Sequence, residues 1–258
     1  MQLANKKVLI TGGGSGIGFA LARRLAEANE VVIAGRSTSK LQAAKNGNSR
    51  LRPVQLDVTS EESAAMVIDW IRSDFGGLDM LVHCAGVMHG GAITTADAAV
   101  TGAEELAVNL GGAIRMTRLA LPLLQAAPEA GILFVSSPVA LKAVPRLSVY
   151  AASKAGVHSF ARSLRAELAG TAIRVFEALP PVVDTELTRD LDVAKIASAA
   201  VADAVVSGIE RNKLQIPMHQ VRPLMLIARL APRLADRLVQ QAVRPSTRDL
   251  VGHDEAKA

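Results

Sequence analysis

The chain contains a single tyrosine among 258 residues, and a lysine follows it four positions later in the stretch VYAASKAG. On a helix, Tyr150 and Lys154 would lie one turn apart on the same face. A free tyrosine ionises near pH 10, and an adjacent ammonium group favours the phenolate. We therefore expect Lys154 to lower the pKa of Tyr150 and to make it a general acid or base. Such a pair can also arise by chance, so the neighbouring residues decide whether it is functional.

Glycines cluster in the segment TGGGSGIG, residues 11–18, immediately after the apolar run KVLI. A glycine-rich turn between a strand and a helix lets the backbone approach a pyrophosphate, which lies at the helix N-terminus. The spacing differs from the GxGxxG of most dinucleotide folds. A flexible loop is the alternative, but the position between strand and helix favours a dinucleotide cofactor. The residues expected to contact it are Gly12, Gly14, Ser15, Gly16, Ile17 and Gly18.

The second predicted strand ends in IAGRS, where a glycine stands at the position of the acid usual in NAD-binding folds. That acid hydrogen-bonds the ribose 2′-hydroxyl of NAD, and Gly35 lacks such an acceptor. The guanidinium of Arg36 suits a 2′-phosphate because of its charge and its bidentate geometry. NADP(H) is therefore expected in preference to NAD(H), with a solvated surface arginine as the alternative.

The elements that must position these residues alternate regularly along the chain. Helical periodicity covers about 17–28, 38–46, 60–75, 97–127, 150–169 and 194–211. The predicted strands between these helices are KVLI, EVVIAG, LRPVQLDV, LDMLVHCAG, GILFVSS, AIRVFEAL and KLQIPM. Near-continuous apolar strands separated by helices predict a parallel sheet covered on both faces. We expect an α/β fold: one doubly wound Rossmann-type domain with a seven-stranded parallel sheet over residues 1–218, then a basic helical extension over 219–258.

Composition excludes several classes of protein. The single cysteine, Cys84, excludes an internal disulfide, and no spacing of cysteine and histidine suggests a zinc or other metal site. No apolar run approaches the roughly 18 residues of a membrane span, and no signal region precedes the first strand. A soluble, cytoplasmic protein is therefore expected.

The net charge of +5 arises in the C-terminal region, because residues 211–248 contain eight basic residues and one acidic residue. A nucleic-acid-binding protein would combine basic residues on a folded face with aromatic residues, so no nucleic-acid partner is expected. Arg229, Arg233 and Arg237 recur every four residues beside leucines, and two prolines suit the starts of two short helices. This tail could contact an anionic membrane surface or an acidic partner, or it could be a solvated or subunit-covering helix pair.

Further residues, taken together with those above, resemble the short-chain dehydrogenase/reductase family over about residues 5–218. The family's TGxxxGxG turn corresponds to residues 11–18, and its YxxxK pair to Tyr150 and Lys154. Its catalytic serine lies 13 residues before the tyrosine, at Ser137. The downstream form PPxVDTxL resembles a subgroup labelled DltE-like oxidoreductases. The other matching residues are Asp57, Val58, Ala85, Gly86, Asn109, Pro180, Val183 and Thr185.

The resemblance implies a role for each catalytic residue. Tyr150 would transfer a proton to or from the substrate oxygen, and Ser137 would stabilise that oxygen. Lys154 would lower the pKa of Tyr150 and hold the nicotinamide ribose. Asn109 would complete a proton relay through water, and Asp57 would contact the adenine.

The chain departs from the family pattern at two places. Pro181 replaces a glycine, which stiffens the turn and removes an N–H donor, and His83 and Cys84 replace the first half of the family's NNAG. Relatives pair through the helices near 100–125 and 150–169, so a homodimer or homotetramer is expected.

The expected function is that of an NADP(H)-dependent oxidoreductase interconverting a carbonyl (ketone or aldehyde) and an alcohol by hydride transfer. The substrate would be a small hydrophobic molecule. One alternative is a reductase of β-ketoacyl groups on an acidic carrier protein, and another is a regulatory module that binds nucleotide without turnover. The pocket-lining residues expected for the substrate are Val139, Ala140, Leu141, Val144 and Val182, with Arg146 at the edge.

Overall fold

The seven strands predicted from the sequence form one parallel sheet in the computed structural model, which describes residues 1–91, 93–94, 97–218 and 221–242, the last five as backbone only. The strands of this sheet are β1 (Lys7–Thr11), β2 (Glu30–Gly35), β3 (Leu51–Gln55), β4 (Met80–His83), β5 (Ala130–Val135), β6 (Ile173–Leu179) and β9 (Gln215–Pro217). Their order is β3-β2-β1-β4-β5-β6-β9, with parallel pairing throughout. The order reverses between β1 and β4, where sheets of this kind bind ligands beyond the carboxyl ends of the strands.

Helices connect the strands and cover both faces of the sheet, as the sequence predicts. They are α1 (Gly16–Leu25), α2 (Thr38–Lys45), α3 (Glu61–Trp70), α4 (Ala98–Glu105), α5 (Gly112–Ala126), α6 (Ser148–Glu167), α7 (Ser198–Glu210), α8 (Arg222–Leu230) and α9 (Pro232–Ala242). The segment predicted as one helix over 97–127 is continuous but mixed in type, because a π-helical turn, Leu106–Gly111, joins α4 to α5.

Two hydrophobic layers hold the helices against the sheet. Successive strand residues point to opposite faces, so the fully buried Leu9 and Ile10 of β1 belong to different layers. One layer packs under α1 and α7, and the other packs under α3, α5 and α6. The predicted α/β fold, with helices on both faces of a parallel sheet, is therefore confirmed.

Close packing fixes the position of α6 against the π-helical turn. A Cβ at Gly156 would come within 2.7 Å of the Leu110 side chain, so a larger residue there would force that side chain to shift. The first turns of α6 are consequently held beside the carboxyl end of β5, where the catalytic pair is expected.

A second, very short sheet lies outside the seven-stranded one. Strands β7 (Val183–Asp184) and β8 (Ile196–Ala197) form a separate parallel pair that was not predicted, because two residues carry no readable periodicity.

Helices α8 and α9 begin near the two prolines, as expected. The boundary at residue 218 stays a prediction, and residues 243–258, with two of the tail's arginines, lie outside the described residues. Within the part described, no helix is both long enough and apolar enough to cross a membrane.

Candidate active site

A cleft of about 590 Å³ opens at the carboxyl ends of the strands, at the reversal of strand order. Its volume is in the usual range for a bound small molecule or cofactor. Asn109 is the only residue predicted for cofactor binding or catalysis that does not line it. The lining includes Gly12, Gly14, Ser15, Gly16, Ile17, Gly18, Arg36, Asp57, Val58, Ala85, Gly86, Ser137, Tyr150, Lys154, Pro180, Val183 and Thr185.

The glycine-rich turn after β1 has a geometry that side chains would prevent. Gly12 has a φ of +70°, and a Cβ there would lie 2.7 Å from the backbone nitrogen of Ala85. A Cβ at Gly18 would collide with the carbonyl oxygen of Gly12. These contacts bring the loop after β4 directly against the turn, so both lie on the floor of the cleft.

The N-terminus of α1 faces the same cleft with its first N–H groups uncapped by a side chain. Ser15 occupies the N-cap position without a side-chain hydrogen bond, and the first turn contains no acidic residue. Unpaired N–H groups and the positive end of the helix dipole together favour a phosphate. The turn, the helix end and the size of the cleft fit a nicotinamide dinucleotide.

Asp57 and Val58 form the wall at the end of β3. Asp57 Oδ1 accepts hydrogen bonds from the backbone nitrogen of Thr59 at 2.8 Å and from its hydroxyl at 2.7 Å. These hydrogen bonds hold the pKa of Asp57 below its usual value, so the carboxylate is an ionised acceptor at the cleft. The carbonyl oxygen of Val58 accepts a hydrogen bond from Arg115 Nη1 at 2.7 Å, which ties this wall to α5.

Three ion-pair contacts lie at the cleft rim, and the sequence predicts none of them. Arg36 Nη1 is 3.4 Å from Glu104 Oε1, and Glu104 Oε2 is 2.9 Å from His89 Nε2. Lys40 and Glu186, which both line the cleft, approach to 2.5 Å. Because these partners come from different elements, no local sequence pattern marks them.

Tyr150 and Lys154 lie one turn apart near the start of α6, and both are buried. Lys154 Nζ is 5.7 Å from the centroid of the Tyr150 ring and donates a hydrogen bond to the carbonyl oxygen of Val135 at 3.1 Å. Burial lowers the pKa of Lys154 to about 8. The lysine therefore lies over the tyrosine ring, and it forms no ion pair within the described part of the chain.

The expected lowering of the Tyr150 pKa is not what the structure gives. Burial raises the pKa of Tyr150, and the Glu105 carboxylate raises it further. Both effects disfavour the phenolate, because a buried charge is poorly solvated and a second negative charge repels it. The hydroxyl is consequently protonated at neutral pH in this structure. Glu105 directly precedes the π-helical turn, and nothing in the local sequence links it to Tyr150.

Ser137 is placed at the cleft by the end of β5. Its Oγ accepts a weak hydrogen bond from the backbone nitrogen of Val139 at 3.4 Å, at the start of the 3₁₀ turn Pro138–Leu141. The adjacent Ser136 is buried, and its hydroxyl points to the carbonyl oxygen of Lys154 at 3.5 Å. Ser137 is thus the more open of the two hydroxyls.

Asn109 lies behind the cleft, in the π-helical turn. Its Nδ2 donates to the carbonyl oxygen of Val87 at 2.9 Å and to Ser153 Oγ at 3.0 Å, and its Oδ1 accepts from the Val87 nitrogen at 2.8 Å. These contacts fix the loop after β4 against α6. Its role in a water-mediated relay stays a prediction.

His83 and Cys84 are not reactive groups in this structure. His83 Nε2 pairs with Thr117 Oγ1 at 2.9 Å, the ring stacks on Phe134, and burial lowers its pKa to about 3. Cys84 lines the cleft, and burial raises its pKa to about 12, so the thiol is neutral.

The apolar side chains expected around the substrate are not among the residues that line the large cleft. Val144 is buried, and Leu141 packs against the core layer under α1 and α7. Arg146 lines a small separate pocket together with His89 and Glu105. The contact of these side chains with a substrate therefore stays a prediction. The set concerned is Val139, Ala140, Leu141, Val144 and Val182, none of which lines the large cleft.

Comparisons with known proteins agree with this architecture. Residues 6–195 match the short chain dehydrogenase family. The chain is 34% identical over 233 residues to the uncharacterized oxidoreductase DltE of Bacillus subtilis, covering 87% of this chain and 92% of that protein. An uncharacterized oxidoreductase of Staphylococcus aureus is 32% identical over 230 residues, covering 86% and 99% of the two chains.

Two solved structures have the same fold. A short chain dehydrogenase from Burkholderia cenocepacia in complex with NADP superposes with a TM-score of 0.83 at 27% identity, covering 95% of this chain and all of that one. A short chain dehydrogenase/reductase from Burkholderia phymatum in complex with NAD has a TM-score of 0.82 at 22% identity, covering 96% and 99%.

Proposed function

Because the chain belongs to the short-chain dehydrogenase family, we propose that it is an NADP(H)-dependent oxidoreductase interconverting a ketone or aldehyde and the corresponding alcohol. The observation that carries this proposal is one cleft lined by the glycine-rich turn and by Ser137, Tyr150 and Lys154. The glycine-rich turn and the hydroxyl groups of Ser137 and Tyr150 are far apart in the sequence, and only the fold brings them together.

The cofactor would be held by the turn and helix end at its pyrophosphate and by the residues of the β3 end at its adenine. When bound, the nicotinamide supplies or accepts the hydride. Pro180, Val183 and Thr185 also line the cleft and would contact the nicotinamide end. Lys154 would hold the nicotinamide ribose through its ammonium group.

Tyr150 would give its proton to the substrate oxygen during carbonyl reduction. The hydroxyl keeps its proton at neutral pH and can donate it as the substrate oxygen becomes more basic, although its raised pKa makes it a weaker acid than a free tyrosine. Ser137 would donate a hydrogen bond to that oxygen as negative charge develops. Lys154 is close enough to stabilise the tyrosine once it has lost its proton. Asn109 would hold the loop after β4 and complete the relay of protons through water.

The preference for NADP(H) rests on Arg36. Its side chain lines the cleft, is well exposed, and follows a strand end that contains no acid. A 2′-phosphate would replace Glu104 as the partner of Arg36, so the affinity for NADP(H) is reduced by the free energy of separating Arg36 from Glu104. Exposed ion pairs contribute only about 0–1 kcal/mol, which is less than a charge-assisted hydrogen bond of about 1.5–3 kcal/mol.

The first experiment is a titration of the protein with NADPH and with NADH, following cofactor fluorescence at one salt concentration. We expect NADPH to bind more tightly than NADH, and Arg36→Gln to weaken NADPH by about 10- to 100-fold. The affinity for NADH should not change in that variant. Arg72→Gln, which alters an exposed arginine on a remote surface, is the matched control. Equal affinities for both cofactors in the parent protein would contradict the assignment of Arg36.

Turnover is tested by a screen of carbonyl compounds with the preferred cofactor. Oxidation of NADPH by the parent protein, and its loss in Tyr150→Phe, would support the proposed reaction. Tight cofactor binding without turnover of any carbonyl or alcohol would instead favour a regulatory module.

The protein is further proposed to assemble as a homodimer or homotetramer. The exposed Leu106 and Ile114, around the π-helical turn, support this because both would be covered by a second subunit. Light scattering coupled to size exclusion measures the mass directly, and a monomer at all concentrations would contradict the proposal.

A further inference from the structure

The outer side of α8 and α9 combines exposed leucines with exposed arginines. Leu226, Leu230 and Leu234 are 60%, 74% and 49% exposed, which is unusual for large apolar side chains that follow one another along a chain. Four exposed arginines accompany them, and no exposed acidic residue lies among them in the described part of the two helices. This tail face consists of Arg222, Leu226, Arg229, Leu230, Arg233, Leu234 and Arg237.

The opposite side of the same helices is anchored to the domain. Val221 and Ala235 are buried, and Met225 packs against the core layer under α1 and α7. Asp236, the acidic residue of this pair of helices, points inward: its Oδ1 accepts a hydrogen bond from the Ala143 nitrogen at 3.2 Å and is 3.9 Å from Lys142 Nζ. The anchoring sets which residues point outward, so the tail face is a property of the folded protein.

The arrangement of the tail face follows the geometry of helices that lie on membranes. At about 100° per residue, the arginines and leucines of α8 on this face fall within an arc of roughly 100°. Arg222 and Arg229 lie at one border of that arc, and Leu226 and Leu230 fill the rest. Arginines at the border can keep their guanidinium groups at lipid headgroups while neighbouring leucines enter the acyl region.

Charge distinguishes the partners that could cover this face. A second copy of the chain in a two-fold arrangement would bring four arginines against the same four arginines, which is unfavourable. An anionic membrane provides negative headgroups and an apolar layer in the same plane, and both features match the tail face. We propose that the tail face docks the protein peripherally on anionic lipid membranes. This inference does not depend on the proposed oxidoreductase activity.

The test is co-sedimentation of the full-length protein with vesicles of phosphatidylcholine, either alone or mixed with phosphatidylserine. We expect binding to the mixed vesicles, little binding to phosphatidylcholine alone, and release by added salt. Arg229→Gln/Arg233→Gln should weaken binding to the mixed vesicles by roughly 30-fold, since each arginine near an anionic surface contributes similarly.

The apolar contribution is tested separately. Leu226→Gln/Leu230→Gln should weaken binding to mixed vesicles by at least about 10-fold, because two leucines no longer enter the lipid. Met66→Gln is the matched control, since Met66 is also 60% exposed but lies on α3 at the opposite face of the sheet. Circular dichroism and the unfolding midpoint verify that each variant is folded.

Three results would overturn the proposal. The first is equal binding of the parent protein to both vesicle types. The second is undiminished binding by the leucine variant, which would show that the leucines do not enter the lipid. The third is that the parent protein binds no vesicles but self-associates or retains an acidic protein, and that the leucine variant abolishes this association. In that case the tail face is covered by protein.

Discussion

One face of α6 contributes to two pairs of ionisable residues, Tyr150–Lys154 within the helix and His158–Glu177 between the helix and β6, and the two pairs are compensated very differently. Tyr150, Lys154 and His158 follow one another at intervals of one helical turn. In the described residues no carboxylate lies within ion-pair distance of Lys154, whose ammonium is held by a backbone carbonyl at 3.1 Å. His158, one turn on, contacts both oxygens of the fully buried Glu177 at 2.8 and 3.0 Å. Gln215 approaches the same carboxylate at 3.4 Å.

The difference separates residues that can react from residues that hold the fold. A buried amine without a counterion costs free energy of folding, but its charge remains available to a substrate, a cofactor or Tyr150. The charge of a buried carboxylate with several partners is already compensated and is not available to a ligand. Removal of one partner leaves a charged or polar group unsatisfied. Tyr150 and Lys154 are therefore expected to contribute to turnover at a cost in stability. His158 and Glu177 are expected to contribute to stability alone.

The largest expected effect is on the chemical step. Tyr150→Phe removes the proton donor and should lower kcat by about 10²- to 10⁴-fold. Affinity for the cofactor should change little, because the hydroxyl alone is removed. Steady-state kinetics with a substrate from the carbonyl screen measure the first quantity, and cofactor fluorescence measures the second. Retention of more than half of the parent kcat would remove Tyr150 from the mechanism.

The second pair should give the converse result. Glu177→Leu leaves His158 and Gln215 without their buried acceptor and should lower the free energy of unfolding by about 3–5 kcal/mol. Below the unfolding transition, kcat per folded molecule should equal that of the parent. Urea denaturation followed by circular dichroism measures the loss.

A paired substitution provides the control for that loss. His158→Leu/Glu177→Leu removes both partners and should recover much of the stability, since replacing a buried pair by apolar side chains is often neutral. If the single and double variants were equally unstable, the packing of Glu177 and not its pairing would explain the effect.

The third prediction concerns the cost of the uncompensated lysine. Burial lowers the pKa of Lys154 from its ordinary 10.5 to about 8, which corresponds to a cost of about 3 kcal/mol for the charged form. Lys154→Met removes that cost and leaves the Val135 oxygen unpaired, which offsets about 1 kcal/mol. The variant should therefore be about 2 kcal/mol more stable than the parent at pH 7, and inactive.

The pH dependence of this gain has a definite sign. The folded-state pKa lies below the unfolded one, so the cost is fully present below about pH 8 and disappears as the pH rises to 10.5. The stability advantage of Lys154→Met should shrink over that range. Urea denaturation of both proteins at several pH values measures it, and an advantage independent of pH would indicate improved packing instead.

The smallest effect is expected at Glu105. Its carboxylate raises the pKa of Tyr150, so Glu105→Gln should lower that pKa. In carbonyl reduction the tyrosine must be protonated, and the alkaline fall in rate should therefore move to lower pH. At pH 7 the hydroxyl stays protonated, and kcat should change by less than about 10-fold. The pH profile of Glu104→Gln, which alters the neighbouring acid paired with Arg36, should keep the parent's alkaline limb.

The sequence predicted what short-range patterns encode. The seven strands have apolar runs bounded by turns, and the glycine-rich turn has a spacing whose physical reason is local. Tyr150 and Lys154 were placed on one helix face because their separation matches a helical turn. These features needed no knowledge of which elements are neighbours in space.

Features that depend on tertiary neighbours were not predictable in the same way. Glu105 and Tyr150 are separated by more than forty residues along the chain, so the direction of the tyrosine pKa could not be obtained from the YxxxK pattern. The ion pairs of Arg36 and Lys40 likewise join different elements. The two-residue strands β7 and β8 are too short for any periodicity.

The π-helical turn between α4 and α5 restricts how the length of this segment can change. A π turn accommodates an additional residue relative to an α-helix, and its removal would rotate one side of the helix by about 100° relative to the other. Asn109 could then keep its contacts with Val87, or Arg115 could keep the carbonyl oxygen of Val58, but not both. A deletion of Leu110 or Gly111, which lie between Asn109 and Arg115, should therefore be tolerated less well than a deletion of the same size in a loop far from the cleft.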